Sequence, residues 1–240
     1  MRDSSTWYSP RVEQDVHLVR WGHYGTPVLL FATAGGDAYE CERFGLVEAV
    51  WPLIEAGRIK LYSIDSIAGR AWLREEPPAY CSRLQNAFDA AVYHEVVPAI
   101  RTDCRSDVEV ITAGASIGAF NAVASLCRHP DAFRAAIGMS GTYDLSRWLQ
   151  GEWHDEFYFA SPLHFLPNLG EGHQLDLLRR RFVLLAYGGG RWEDPDQSWR
   201  LADVLGGKGI PNRVVPWGPE WDHDWPTWRR MLPVYLDELA

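Results

Sequence analysis

Short apolar runs alternate with longer stretches of helical periodicity along most of the chain. Asp15 to Trp21 alternates polar and apolar positions, the pattern of a half-exposed strand. Val28-Leu29-Leu30-Phe31 is wholly apolar and runs into a glycine turn at Gly35-Gly36, as a buried strand does. The pattern then predicts a helix from Phe44 to Ala56 with an irregularity at Pro52, a strand from Ile59 to Ile64 and a helix from Leu84 to Ile100. Further strands are expected at Val108 to Thr112, Ala135 to Met139, Phe182 to Tyr187 and Arg213 to Val215. Helices are expected at Ile117 to Cys127, Ser198 to Leu205 and Trp228 to Leu239. Strands alternating with helices of this length imply βαβ crossovers, hence an α/β fold with a mostly parallel central sheet and helices on both faces.

The stretch from about Leu145 to Leu178 breaks the rhythm. It holds Gly151, Pro162, Pro167, Gly170 and Gly172 and predicts a loop-rich insertion in a single domain spanning residues 1–240. A chain of 240 residues that is 47% hydrophobic can bury one sizeable core, which favours one domain over two small ones.

Formal net charge is -9 with the carboxylates scattered, which argues against a nucleic-acid or anionic-membrane surface, since both need a clustered positive field. The one basic run, Arg179-Arg180-Arg181, reads as a solvated helix end. The start, Met1-Arg2-Asp3-Ser4-Ser5, is polar and leads into no apolar stretch, so no signal peptide is expected; nor does any run suit a membrane span. Cys41, Cys81, Cys104 and Cys127 lie far apart with no C-x-x-C pair, which predicts reduced thiols and a cytoplasmic location.

In an open parallel sheet, ligands gather at the carboxyl ends of the strands. Directly after the strand ending at Thr112 comes Gly114-Ala115-Ser116-Ile117-Gly118, a G-x-S-x-G match. A serine held on a strained strand-to-helix turn needs small residues two positions to either side, and such a turn lifts the hydroxyl above the sheet. Ser116 is therefore the candidate nucleophile, with Gly114 and Gly118 making the turn. The N–H of Ile117, at the start of the following helix, is a candidate oxyanion donor.

On such a sheet a triad runs in the order serine, acid, histidine. Of the histidines that follow Ser116, His129 sits in a loop and reads as solvated, while His154, His164 and His173 fall in the insertion. His223 follows the last strand and precedes the last helix, where a general base would hang over the nucleophile. The acid is expected after the strand ending at Tyr187, where Glu193 and Asp194 are adjacent; Asp194 is the first choice and Glu193 the second. Asp222 and Asp224 are outside candidates, being sequence neighbours of His223. A second oxyanion donor is expected from Ala32-Thr33-Ala34-Gly35-Gly36-Asp37, with the N–H of Gly35 favoured.

These residues resemble the esterase D-like esterases of the α/β-hydrolase superfamily. The resemblance covers most of the chain and rests on four segments. They are Gly114 to Gly118, Leu126-Cys127-Arg128-His129-Pro130 with Phe133, Ser140-Gly141-Thr142-Tyr143-Asp144, and His223-Asp224-Trp225-Pro226-Thr227-Trp228. It implies an α/β-hydrolase fold, triad roles for Ser116, His223 and Asp194 or Glu193, and no metal or organic cofactor. Many members carry a His-Gly pair where this chain has Thr33-Ala34.

Aromatic residues crowd the proposed acid and base; they either pack the core or wall a substrate pocket, and Trp192 and Trp225 are the candidate substrate contacts. The expected reaction is cleavage of a small-molecule carboxylic ester through an acyl-enzyme. Acyl transfer, thioester hydrolysis and an inactive binding protein are the alternatives. Monomer and homodimer are both open.

Overall fold

The computed structural model describes residues 2–240; Met1, the first residue of the polar start, lies outside the described residues. Eight strands form one sheet: β1 (Arg2–Ser9), β2 (Gln14–Trp21), β3 (Thr26–Phe31), β4 (Ile59–Ile64), β5 (Val110–Ala115), β6 (Phe133–Met139), β7 (Phe182–Tyr187) and β8 (Asn212–Pro216). Their spatial order is β1-β2-β4-β3-β5-β6-β7-β8. β1 and β2 form an antiparallel hairpin, and β2 also runs antiparallel to β4. Every other pairing is parallel.

The helices are α1 (Glu40–Arg43), α2 (Leu46–Glu55), α3 (Ile67–Leu73), α4 (Pro78–Ala91), α5 (Val97–Cys104), α6 (Ile117–Arg128), α7 (Asp155–Ala160), α8 (Pro162–Phe165), α9 (His173–Leu178), α10 (Pro195–Gly207) and α11 (Trp225–Leu239). Central strands are buried on both faces, so β4 and β5 are buried at every position. Alternation then sorts their side chains between two cores. Val28 and Leu30 of β3 pack with Val50 and Ile54 of α2 and Met231 and Leu236 of α11. Leu29 and Phe31 face the other way, toward Phe88 of α4, Phe120 of α6 and Leu205 of α10. Phe31 meets Phe88 edge-to-face at 6.2 Å, a contact worth about 0.5–1.5 kcal/mol beyond its burial.

Several expectations are corrected. β1 was invisible to the hydrophobic pattern, because five of its eight side chains are solvent-facing polar or charged groups and only Ser9 is buried. The helix expected from Leu84 to Ile100 is part of a longer run, α4 and α5 joined by a π-helical turn at Val92–Val96. The segment between β6 and β7 carries the short helices α7 to α9 among its loops. Arg181 is not a solvated helix end: its guanidinium donates to Pro130 O and pairs with Glu109, and its side chain is only 12% exposed. Among the described residues, no helix is long and apolar enough to cross a membrane. The four cysteines are free thiols.

The chain moves from β3 outward to β4, then returns to place β5 on the other side of β3. That reversal is the topological switch point of the sheet, and the loops leaving β3 and β5 meet there.

Candidate active site

Ser116 connects β5 to α6 at φ +57°, ψ -124°, a conformation costing an L-residue about 1–3 kcal/mol. The glycines around it permit the crossing of strand and helix. A Cβ on Gly114 would lie 2.2 Å from the carbonyl of Gly118, and one on Gly118 would lie 2.5 Å from Phe31 O. The turn is pinned by Ser116 N–H donating to Met139 O and Thr142 N–H donating to Ser116 O. The Ser116 hydroxyl does not cap α6, and while Ala119 N–H donates to Ser116 O, the Ile117 N–H at the helix start stays available to an anion.

The loops after β7 and β8 are laced together by backbone bonds. Gly189 N–H donates to Gly218 O, Gly190 N–H to Trp221 O, and His223 N–H to Arg191 O. The glycine run is what lets the chains approach. A Cβ on Gly188 would fall 2.0 Å from Trp221 O, and one on Gly190 would fall 2.3 Å from Asp222 Oδ1. At Trp192 the backbone turns through φ +62° and leaves the indole 78% exposed.

This turn separates the two adjacent carboxylates. Glu193 is half-buried; its Oε1 accepts Ser140 Oγ–H at 2.5 Å, and Ser140 Oγ accepts Trp228 Nε1–H at 3.0 Å. Burial pushes the Glu193 carboxyl above its ordinary value, against the bonds from Ser140 and the Gly188 N–H. Asp194 is exposed at the start of α10, and its carboxylate accepts from Gln197 Nε2 at 3.2 Å. Asp222 is taken by the Arg191 guanidinium at 2.8 Å, and Asp224 caps α11 through Trp225 N–H. The two carboxylates thus stand in unlike settings, Glu193 half-buried and bonded to Ser140 and Asp194 exposed.

His223 stands between β8 and α11, edge-on to the buried Trp228 at 5.3 Å. Burial holds its imidazole below the ordinary value, with the Asp224 carboxylate pulling the other way. It is therefore neutral near pH 7, the form a base requires. Among the described residues, no hydrogen bond joins it to Ser116 or Glu193; such contacts are commonly long without substrate. Trp225 lies one ring further out, edge-on to Trp228 at 5.0 Å and stacked on Phe44 at 4.4 Å.

Gly35 lies in the loop after β3. The loop turns tightly, Gly36 N–H donating to Thr33 O at 3.0 Å. A Cβ on Gly69 of α3 would sit 3.2 Å from Ala34 Cα and 3.1 Å from Ile117 Cγ2, so this loop and the start of α6 converge on one point.

His129 is a correction: it is not solvated but bonded to the buried Asp89 at 2.7 Å and stacked on Tyr93 at 4.1 Å. His164 is partly buried against Ser161, and His154 precedes α7. A surface groove of about 940 Å³ lies at the opposite end of the strands, lined by Arg20, Lys60, Asp103 and Arg134. Arg20 and Lys60 are both paired with Asp103 there, and neither Ser116 nor His223 reaches it. Sequence reasoning missed Ser140. It stands in a quoted motif, yet no spacing rule ties it to a residue 53 positions away.

Sheet order, the turn at Ser116 and the loops beside it define an α/β-hydrolase. The sequence profile of the family described as "Putative esterase" matches residues 57–238, and the chain belongs to that family, whose class is carboxylic ester hydrolase. No curated protein matches the chain. A ferulic acid esterase is 16% identical with a TM-score of 0.76, covering 100% of this chain and 96% of that one. An S-formylglutathione hydrolase from Agrobacterium tumefaciens is 12% identical with a TM-score of 0.71, over 99% and 94%. MPT51 from Mycobacterium tuberculosis is 14% identical with a TM-score of 0.75, over 100% and 97%. At these identities the likeness is one of fold.

Proposed function

We propose that this esterase works through a triad of Ser116, His223 and Glu193. The observation that carries the reading is the environment of the three groups: a serine on a strained turn with free helix N–H groups beside it, a neutral half-buried imidazole, and a carboxyl held by Ser140 on the loop laced to that of the imidazole. Ser116 Oγ attacks the ester carbonyl while His223 takes its proton. Negative charge develops on the carbonyl oxygen, facing the N–H groups of Ile117 and Gly35. The intermediate collapses, His223 gives the proton to the departing alkoxide, and an alcohol leaves. Water then adds to the acyl-enzyme with His223 again as base, releasing the acid.

Glu193 would accept from the imidazole N–H, fix its tautomer and stabilise the imidazolium. Its burial supports this, because a carboxylate with one oxygen already bonded in a half-dry site has a fixed direction. The exposed Trp192 and the Phe44–Trp225 stack flank the acid and base and suit an apolar group of a small ester. Free cysteines favour a reducing, cytoplasmic setting.

Incubation with a fluorophosphonate, peptide mass spectrometry and a p-nitrophenyl ester series test the reading. Adduct formation at Ser116 with ester turnover is expected. Labelling elsewhere, or turnover that survives Ser116→Ala, overturns it.

A further inference from the structure

We infer that Glu40 is a positioning residue for the oxyanion loop, clamping Thr33 so that the following N–H groups stay aimed at the substrate oxygen; this rests on the proposed roles of Gly35 and Ile117. Glu40 is only 6% exposed, at the start of α1, seven residues beyond the residue it holds. Both carboxyl oxygens are spent on Thr33: Oε2 accepts its N–H at 2.8 Å and Oε1 accepts its Oγ1–H at 2.7 Å. The carboxyl lies flat against Gly36, where any Cβ would come within 2.4–2.5 Å of Cδ and both oxygens. Gly36 is thus a glycine because the clamp occupies the space of its side chain.

The rest of the loop is also fastened. Gly36 N–H closes on Thr33 O, and Gly36 O accepts Ser66 N–H at 3.2 Å. The buried Asp65 takes Ala38 N–H at 3.0 Å through Oδ1, while its Oδ2 pairs with His17 at 2.6 Å. Among the described residues the N–H groups of Ala34, Gly35 and Asp37 are left without a hydrogen-bond partner in this turn, and Ala34 stands at the convergence with Ile117 at Gly69. A buried carboxylate costs free energy unless it is fully bonded, and here it bonds nothing but the first residue of this turn. Donors that stabilise a developing charge must be held before the charge appears, because reorganising them during the reaction would forfeit the gain. Two charge-assisted bonds to one residue supply that rigidity.

The test uses the full chain as wild type, Glu40→Gln, Thr33→Val and Thr33→Ser, with active sites counted by fluorophosphonate titration. For each, kcat and KM for p-nitrophenyl acetate are measured with the inhibition constant of an arylboronic acid, which forms a tetrahedral adduct on serine. Glu40→Gln is expected to lower kcat per titrated site about ten- to hundredfold, to weaken the boronic acid in proportion and to leave KM within about twofold. Thr33→Val should follow in the same direction, and Thr33→Ser, which keeps the hydroxyl, should restore most of the rate. If Glu40→Gln does not fold, the Thr33 pair decides alone. Unchanged kcat and boronate affinity per site, with only the melting temperature lowered, would make Glu40 a fold residue and overturn the clamp. Wild type that neither labels at Ser116 nor turns over would sink the esterase reading itself, and the clamp with it.

Discussion

Ser140 Oγ donates to Glu193 Oε1 at 2.5 Å, and the same oxygen receives the indole N–H of Trp228 at 3.0 Å. Trp228 in turn presents its ring to the edge of His223. Ser140 therefore ties the carboxyl to the helix that also fixes the imidazole. It sits at φ +47°, held by its N–H to Ala186 O, so its hydroxyl has little freedom to point elsewhere.

Removing charge from Glu193 should separate it from its neighbour. Glu193→Gln is expected to cost on the order of 10⁴ in kcat, whereas Asp194→Asn, at an exposed position, should stay within about threefold of wild type. Steady-state kinetics on the two variants decide, and the reverse ranking would return the acid role to Asp194.

Ser140→Ala deletes a bond to a charged group worth about 1.5–3 kcal/mol. A roughly ten- to hundredfold loss in kcat is expected, with Ser140→Thr recovering part of it. Losing the bond also removes an influence that lowers the Glu193 pKa, so the acid limb of the rate profile should move upward. A variant with wild-type kcat and an unmoved limb would show that Ser140 serves only packing.

With His223 as the proposed base, the pH dependence of kcat/KM follows from its imidazole. The base must be unprotonated, so activity is full above its folded pKa and lost as pH falls through it. Burial places that pKa below the ordinary imidazole value of about 6.5. The acid limb should accordingly lie below 6.5, and protonation of Glu193, itself raised by burial, would deepen the loss on the same side. A limb above 7 would contradict the burial.

Glycines in this chain should divide sharply on substitution. Gly188→Ala drives a Cβ to 2.0 Å from Trp221 O and should destabilise the fold by about 1–3 kcal/mol while also lowering kcat, since the histidine loop must shift. Gly206→Ala, in α10 with nothing within 4 Å of the new atom, should be neutral or stabilising by up to about 1 kcal/mol. Melting curves read both, and equal losses would mean the lacing contributes nothing.

Much of the architecture was legible in the alternation of short apolar runs with helical periods, because strands buried on both faces are mostly apolar. Phe182–Tyr187 was read to the residue for that reason. β1 escaped because an edge strand facing solvent needs no apolar pattern. The turn at Ser116 was legible because its steric demand fixes residue types locally. The unlike settings of Glu193 and Asp194 were not, since they follow the positive φ of Trp192 between the loop and α10. His129 misled for a similar reason: its partner Asp89 lies 40 positions away on another helix.

The lacing of residues 188–191 to 218–223 also bears on how the protein can be re-engineered. The proposed acid and base lie in separate stretches of sequence that these backbone bonds join. Insertion into either loop would displace both groups together, so a graft that alters specificity here must exchange the two segments as a matched pair. The loop proposed to hold the oxyanion is anchored through other residues, Glu40 and Asp65.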